Sequence, residues 1–390
     1  MQLVAYGAQD IYLTGNPQIT FFKVVYRRHT NFALESIEQT FNGTVDFGRK
    51  VSCTVSRNGD LIHKVYLQVD LPALTNTNGT TGSLQWVNNI GHVMIDEVSI
   101  EIGGQTIDKH YGDWLNIWNE LTQTAEKEGG YDDMIGATTN PADSISARTL
   151  YVPLQFWFCR NPGLALPLIA LQYHEVKFNI SFRPASECYI LNGGATANTP
   201  SITNASLYVD YIYLDTDERR QFSQVQHEYL IEQLQFTGAE SFSNASVKSK
   251  LALNHPCKEL VWVVQPDANA SAKAWSDYSY SGAETIVDAK LQLNGHDRFS
   301  VRKAGYFNLV QPYQHHTRIP SAGIYVYSFA LNPEQHQPSG TVNMSRIDNA
   351  TLLLNLDGAM ASGGCKLRVY ALNYNVLRIM AGMGGLAYSN

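Results

Sequence analysis

The sequence predicts an all-β protein of two consecutive antiparallel domains with few short helices. Three observations predict this fold. Apolar and polar residues alternate along many segments, turn-forming dipeptides separate those segments, and one order of elements occurs twice in the 390 residues. A chain of this length is long enough for two to three ordinary domains.

Alternation with a period of two runs through Val65–Leu71, Val98–Ile102, Val176–Phe182 and Val287–Leu293. This period is typical of a strand with one face in a core and the other in water. The connections show few of the helical crossovers that parallel strands require, so we expect mainly antiparallel sheets. Asn294-Gly295 is one of six Asn-Gly or Asp-Gly dipeptides, which accept the positive φ of tight turns.

Helical signals are few. The clearest is an apolar stripe at i, i+3, i+4 and i+7, formed by Trp114, Ile117, Trp118 and Leu121. Asp113 stands where a side chain can cap the start of that helix. A second signal runs through residues 222–230, near the middle of the chain, and predicts a helical connector between two halves. The polar, Gly-flanked stretch 126–136 is expected to be an exposed loop.

The two halves repeat one order of elements. Val98–Ile102, a Gly-Gly turn and the Trp114 helix correspond to Val287–Leu293, an Asn-Gly turn and a helical turn around Tyr306. The offsets differ, at 192, 171 and 159 residues for three anchors, which does not fit a solenoid of fixed period. Two copies of about 160 to 190 residues fit eight-stranded jelly-roll barrels, whereas an immunoglobulin-type sandwich is smaller.

This organisation divides the chain into four parts. We expect an N-terminal arm at 1–24, a first jelly roll at 25–214, a linker at 215–234 and a second jelly roll at 235–390. The tail 380–390 is rich in glycine and uncharged. It is either a flexible end or a segment that orders against a neighbouring subunit.

Composition excludes several classes of protein. Charged residues make up 16% of the chain and the net charge is −7, with no basic run longer than Arg27-Arg28. Long disorder and generic nucleic-acid binding are therefore not expected. No apolar stretch reaches the 18 residues of a membrane-spanning helix, and the first 20 residues lack the pattern of a signal peptide. Five dispersed cysteines predict reduced, buried thiols.

Motifs for catalysis or metal binding are not found in the sequence. There is no Gly-x-Ser-x-Gly elbow, no Walker-type loop, and no His-x-His or His-x-x-x-His pair. His315 and His316 are adjacent, so on a strand they would point to opposite faces and not to one metal ion. The acidic residues of 126–133 are expected to be loop residues and not a glycosidase pair. We therefore expect no enzyme and no cofactor. Among eight Asn-x-Ser/Thr sequons, Asn78 and Asn269 are the best candidates for glycosylation, because their sequences are turn-like.

The segment GAQDIYLTGNPQITFFKVVYRRHTNF, residues 7–32, is the most specific pattern in the chain. Its characteristic positions are Gly7, Asp10, Leu13-Thr14, Pro17, Thr20-Phe21-Phe22, Tyr26-Arg27-Arg28, Thr30 and Phe32. The pattern resembles the opening segment of the major capsid proteins of nucleocytoplasmic large DNA viruses, particularly the phycodnavirus-like members that infect algae and amoebae. The resemblance continues through Phe41–Val55, Leu61–Pro72 and Glu97–Gln105, and covers nearly the whole chain.

The resemblance implies a double jelly roll that forms a homotrimer, the pseudo-hexagonal capsomer. Capsomers of this family tile the icosahedral shell of a large double-stranded DNA virus, beside minor capsid and penton proteins and above an internal membrane. The resemblance also implies no sequence-specific nucleic-acid binding, a place in the virion, and assembly in the host cytoplasm. In this family the arm lies at the capsomer base, so the following residues are expected to contact the inner face: Asp10, Pro17, Phe21, Phe22, Tyr26, Arg27 and Arg28.

Two other classes of protein stay open at this point. A carbohydrate-binding or carbohydrate-processing β-sandwich would stack sugars on exposed aromatic rings, and Trp86, Trp262 and Trp275 are candidates. Packing in a core or an interface is the more common role of such residues. A cupin-like enzyme would need clustered histidine ligands, which the dispersed histidines do not indicate.

Overall fold

The chain forms two units rich in β-strands, one after the other. The computed structural model describes residues 3, 5–79, 81–138 and 140–389. The strands of the first unit are β1 (Phe32–Gln39), β2 (Lys50–Thr54), β3 (Leu61–Leu71), β4 (Leu74–Thr75), β5 (Ser83–Trp86), β6 (Ile95–Ile102), β7 (Gln105–Tyr111), β8 (Ser144–Ile145), β9 (Arg148–Pro153), β10 (Leu166–Pro167), β11 (Val176–Phe182), β12 (Tyr189–Asn192) and β13 (Asn204–Leu214). Those of the second unit are β14 (His227–Phe236), β15 (Glu240–Phe242), β16 (Ser246–Leu251), β17 (Pro256–Pro266), β18 (Ile286–Leu293), β19 (His296–Asp297), β20 (Arg302–Lys303), β21 (Ile324–Ser328), β22 (Val342–Asn343), β23 (Ala350–Leu356), β24 (Cys365–Met380) and β25 (Met383–Leu386).

Short helices lie between the strands. The α-helices are α1 (Ile11–Thr14), α2 (Ile90–Val93), α3 (Gly112–Thr122), α4 (Ala125–Ile135), α5 (Trp157–Arg160), α6 (Ala185–Cys188), α7 (Thr216–Gln224), α8 (Asp267–Ser271), α9 (Gln311–His315) and α10 (Gly358–Ser362). A turn of π-helix, Tyr306–Val310, runs directly into α9. Single 3-10 turns are Pro162–Leu164, Leu168–Ala170 and Met344–Arg346. Within the described ranges, no helix is both long and apolar enough to cross a membrane.

The first unit consists of two antiparallel sheets that face each other. In one sheet β1, β13 and β3 are neighbours, and β3 also pairs with β9 and β10. In the other the order is β2, β11, β6 and β7. Alternate residues point between the sheets, as in β3, where Val65, Leu67 and Val69 are buried. Burial of each such side chain stabilises the fold by about 1.5–3 kcal/mol. The core therefore lies between the two sheets, where the alternation predicts it.

The second unit has the same strand order. One of its sheets is β14, β24, β17 and β21, with β15, β22 and β25 added at the sides. The other is β16, β23, β18 and β19, with β20 also on β18. The predicted double jelly roll is confirmed by this shared order. In the described chain the main sheets have five and four strands in the first unit and seven and five in the second, because short strands join the main ones.

Helix α3 is confirmed, and other local predictions are wrong. Its N-cap is Tyr111, without a side-chain cap, so Asp113 does not have the predicted capping role. The helix predicted over 222–230 ends at Gln224, and the following residues form β14. The predicted loop at 126–136 is helix α4, which has a polar and exposed surface. A helix without an apolar stripe leaves no periodic signal in the sequence.

The turn after β18 and the start of that strand show how backbone detail departs from strict alternation. Asn294 and Gly295 adopt φ values of 52° and 79°, as the Asn-Gly dipeptide predicts. A bulge between Ile286 and Asp288 turns Val287 outward, where it is 52% exposed. The prediction that Val287 faces the core is therefore wrong, because a bulge reverses the alternation locally.

Candidate functional site

The N-terminal arm is a surface element that the rest of the described chain leaves uncovered. Every residue from 11 to 31 is exposed, including Phe21 and Phe22, whose exposed fractions are 90% and 98%. Asp10 is half-buried and begins α1, where its carboxylate accepts a hydrogen bond from the Gly7 N–H at 2.6 Å. The remaining residues predicted for the inner face are also exposed: Pro17, Tyr26, Arg27 and Arg28.

The chemistry of the arm is that of a docking element. Exposed apolar side chains at Ile19, Val24, Val25 and Tyr26 lie close in sequence to Arg27-Arg28. Contiguous apolar surface rimmed by polar groups marks an interaction site, because burying it against a partner removes it from water. The structure therefore places the predicted arm residues on one continuous exposed segment.

Helix α3 joins the two units. Its apolar stripe packs against the outer face of the β14–β24–β17–β21 sheet, which we call the second-unit face. This face is formed by Leu234, Phe236, Val261, Val263, Ile324, Val326, Tyr370 and Leu372. The ring centroids of Trp114 and Tyr370 are 5.4 Å apart, and those of Tyr111 and Phe236 are 5.0 Å apart. The amphipathic pattern that the sequence shows is thus satisfied by the neighbouring unit of the same chain.

A buried ion cluster lies beside this contact. Glu232 of the second unit binds Arg160 of the first unit at 2.8 Å and Lys258 at 2.7 Å. Burial alone would raise the pKa of Glu232, but the nearby His336, whose Nδ1 lies 3.8 Å from the carboxylate, and the charges of Arg160 and Lys258 outweigh it and lower the pKa to about 2. Arg160 also lies 4.1 Å above the ring of Trp118. The cluster fixes how the two units pair, because a displaced unit would leave buried charges without partners.

A second polar group lies deep in the second unit. His316 stands between Glu259 at 2.8 Å and Glu334 at 2.9 Å. Burial lowers the pKa of His316, but the two carboxylates outweigh it and raise the pKa to about 9. The group is an ion-paired histidine, and His315 instead bonds the Leu331 carbonyl. Across the described residues, no three or more His, Cys, Asp or Glu side chains are arranged to hold a metal ion.

Sequence reasoning did not find either ion cluster. One signal was present: Lys258 and Glu259 interrupt an otherwise apolar run in β17, and a charged residue in a buried strand needs a partner. The partners could not be read from the sequence, because Glu232 comes from another strand, β14, and Arg160 comes from helix α5 of the other unit.

The C-terminal tail is ordered against the first unit of its own chain. β25 pairs with the end of β24, and the Leu386 N–H donates to the Gln105 side-chain oxygen at 3.2 Å. A Cβ at Gly384 would lie 2.6 Å from a Leu171 methyl group, so a larger residue there would have to displace the Leu171 side chain. Of the two alternatives left open for the tail, neither describes residues 381–389, because their partner is the same chain.

The tryptophans proposed for sugar stacking are unavailable to a ligand. Trp86 and Trp262 are buried. Trp275 is half-buried, donates its ring N–H to the Glu187 carbonyl at 2.9 Å, and has Arg183 over its ring. The structure therefore gives no support to a carbohydrate site at these residues.

The two sequons differ in how their asparagine amides are used. Asn78 is exposed, and its amide donates once, to the Gly194 carbonyl. Asn269 is half-buried in α8, and its amide donates to the carbonyls of Asp277 and Ser279. All five cysteines are free and buried, as expected, and burial raises the pKa of the Cys53 thiol to about 11.

Comparisons with known proteins identify similar chains along the full length. The family profile described as "Major capsid protein N-terminus" matches residues 20–215, and that described as "Large eukaryotic DNA virus major capsid protein" matches residues 218–385. The major capsid protein of Pyramimonas orientalis virus is 58% identical, and that of Phaeocystis pouchetii virus is 50% identical. Each comparison covers 100% of this chain and 99% of the relative.

Solved structures show the same likeness. The crystal structure of PBCV-1 VP54, fitted into a reconstruction of the virophage Sputnik, superposes with a TM-score of 0.81 at 40% identity. That superposition covers 95% of this chain and 100% of the other. The Faustovirus major capsid protein superposes with a TM-score of 0.84 at 14% identity, which shows a shared fold.

Proposed function

The chain belongs to the family of major capsid proteins of large eukaryotic DNA viruses, and on that premise we propose that three copies form a pseudo-hexagonal trimer. The protein is a structural component of the virion capsid and not an enzyme. The trimers tile the faces of an icosahedral shell, and their assembly takes place in the host cytoplasm.

One observation carries this proposal: a single chain contains two similar barrels packed side by side through α3. Three such chains supply six similar flanks, so a threefold ring has a nearly sixfold outline that tiles a surface. The charged fraction of 16% favours the burial of these flanks, because charged residues are depleted from interface cores.

The proposed domains are an arm at 1–24, a first barrel at 25–214, a linker at 215–234 and a second barrel at 235–390. Two observations refine these limits. Every residue from 25 to 31 is exposed and precedes the start of β1 at Phe32, and β14 pairs with β24 along its whole length. We therefore assign 25–31 to the arm and 227–234 to the second barrel, which leaves α7 as the core of the linker.

The arm is proposed to lie at the capsomer base and to contact the inner face of the shell. Its exposed aromatic residues and the pair Arg27-Arg28 suit minor capsid proteins, penton proteins or the membrane side of the shell. No sequence-specific nucleic-acid binding is proposed. Asn78 is the better candidate for glycosylation, because a glycan on Asn269 would displace one of two amide hydrogen bonds.

The test compares the full chain with a variant that lacks residues 1–31. Both are expected to sediment as trimers, because residues 11–31 of the arm are exposed and belong to neither barrel core. Only the full chain is expected to form pseudo-hexagonal arrays in electron micrographs. A full chain that stays monomeric under all assembly conditions would refute the trimer, and arrays formed without the arm would refute its role at the base.

A further inference from the structure

We propose that the helical segment 306–315 of the second unit docks onto the outer face of the β1–β13–β3–β9 sheet of a second copy of this chain. We call these surfaces the second-unit helix and the first-unit face. The proposal rests on the proposed trimer and specifies which surfaces meet in it. It follows from the internal repeat, because the same contact already exists once within the chain.

The second-unit helix corresponds to α3 residue by residue. At an offset of 192, Trp114–Leu121 aligns with Tyr306–Tyr313. The inward side chains match, since Leu115 and Phe307 are buried in the cores of their own units. Sheet register also aligns Tyr111 with Lys303. Tyr111 lies opposite Glu97 of β6, and Lys303 lies opposite Asp288, the corresponding residue of β18.

The outward side chains of α3 and of the second-unit helix differ in what covers them. Ile117, Trp118 and Leu121 are buried against the second-unit face. Their counterparts Leu309, Val310 and Tyr313 are apolar or aromatic as well, but they are 51%, 40% and 78% exposed. The second-unit helix thus keeps the apolar stripe of α3, but within the described chain no sheet face covers that stripe. Its partner therefore lies outside the chain.

The first-unit face corresponds to the second-unit face. Each sheet has a bulge in the third strand of its order. In β3 the bulge lies opposite Val209 and Tyr211 of β13, and in β17 it lies between Cys257 and Glu259, opposite β24. When residues are counted from the bulge along β13 and along β24, Tyr208 of the first-unit face occupies the position that Tyr370 has in the second-unit face.

The same count assigns the neighbouring positions. Tyr66 takes the place of Val261, since each pairs with the tyrosine just named. Glu38 takes the place of Phe236 for the same reason.

The first-unit face is uncovered in the single chain. Tyr66 and Tyr208 stack with centroids 5.2 Å apart, next to the exposed Tyr151. Lys64, Tyr66 and Asp210 line one side of an open cleft of about 580 Å³, whose other side includes Trp118 of α3 and Glu334 of the second unit. The face is thus an aromatic surface that the described part of the chain leaves half-exposed at Tyr66 and Tyr208, with a recess where it meets α3.

Two contacts transfer from the existing interface to the proposed one. The tilted pair Trp114–Tyr370 becomes Tyr306 of one copy against Tyr208 of the next, with Tyr306 presenting the part of its ring that the core of its own unit leaves exposed. The apolar pair of Tyr111 and Phe236 becomes Lys303 against Glu38. Both Lys303 and Glu38 are exposed, and both members of the apolar pair are replaced by opposite charges. Since helix and face are different surfaces, the contact is heterologous, and three such contacts would close the ring of the proposed trimer.

A charge exchange tests this pairing. Lys303→Glu and Glu38→Lys each bring like charges together, whereas the double variant restores attraction. We expect each single variant to speed subunit exchange between isotope-labelled trimers at least about tenfold, and the double variant to return it to within about threefold of wild type. Lys248→Glu, the same change at an exposed lysine of β16, is the matched control and is expected to have no effect. Carbodiimide is expected to join Lys303 of one copy to Glu38 of another.

The outcomes separate this proposal from the trimer itself. Trimers that tolerate both single variants, or a double variant that is not restored while the thermal unfolding of its subunits is normal, would refute the docking of these two surfaces. Either result leaves the trimer standing. A wild-type chain that is monomeric at every concentration would instead refute the trimer, and the docking with it.

Discussion

Replacing Glu232 with glutamine is expected to destabilise the protein by about 3–5 kcal/mol, because it removes one partner from a buried ion cluster. The carboxylate binds Lys258 at 2.7 Å and Arg160 at 2.8 Å. Lys258 is 1% exposed, so the variant replaces the anionic partner of its buried ammonium group with a neutral amide, beside the Gln335 carbonyl at 3.1 Å and the face of the Tyr374 ring.

The pKa of Glu232 gives a magnitude in the same range. Lowering a carboxyl pKa from 4.5 to about 2 corresponds to about 3 kcal/mol of stabilisation of the charged form in the folded state. The residue is 5% exposed, so solvent screening takes away little of this energy. The two routes agree because both describe the loss of two close cationic partners in a dry environment.

The assay is guanidinium unfolding at pH 7, with Glu228→Gln as the matched control. Glu228 lies on the same strand and binds Arg378 at 2.8 Å, but both side chains are half-exposed. An exposed pair contributes at most about 1 kcal/mol, so the control is expected to be nearly neutral. A Glu232→Gln variant no less stable than this control would refute the reasoning.

The pH dependence provides a second check. Because the folded pKa is lowered, the contribution of Glu232 is fully present above the unfolded value of 4.5 and is lost as pH falls through about 2. The difference between wild type and variant should therefore shrink by about 2 kcal/mol between pH 6 and pH 3. A difference that stays constant over this range would show that the variant acts through packing and not through charge.

Other predictions concern the contact between the units, the buried histidine and the tail. Trp118→Ala is expected to lower stability by about 3–5 kcal/mol in thermal unfolding, since it empties a buried site between the units. The raised pKa of His316 stabilises the fold fully below pH 6.5, and that contribution is lost as pH rises through about 9. His316→Gln should thus cost stability at pH 6 and little at pH 10. Deleting residues 381–390 is expected to leave both barrels folded, lower the melting temperature, and increase hydrogen exchange around Gln105. An unchanged melting temperature would show that the contact of β25 with the first unit does not stabilise the fold.

Local periodicity predicted the elements that have one apolar face. Strand β3 and helix α3 each present such a face, and both form where their patterns indicate. Helix α4 has no apolar stripe and was expected to be a loop, and the residues after Gln224 turn from helix to strand because β14 pairs with β24. Sheet pairing thus overrides a weak helical pattern.

The recognisable arm residues show a different limit of sequence reasoning. Their pattern is specific enough to indicate a family, and the structure places them on one exposed segment. Neither the pattern nor the fold of a single chain says what they touch, because a docking segment acquires its contacts only with its partner.

The sequence by itself determined the main alternating strands and the apolar stripe of α3, because each depends on residues within about ten positions of each other, and the recurrence of one order of elements indicated two barrels. Only the tertiary structure decided what that stripe covers, how Arg160 meets Glu232, and where the tail rests. These contacts join residues far apart in the chain. They exist only once sheet register has brought the residues together, and a shift of one residue would turn each side chain to the opposite face.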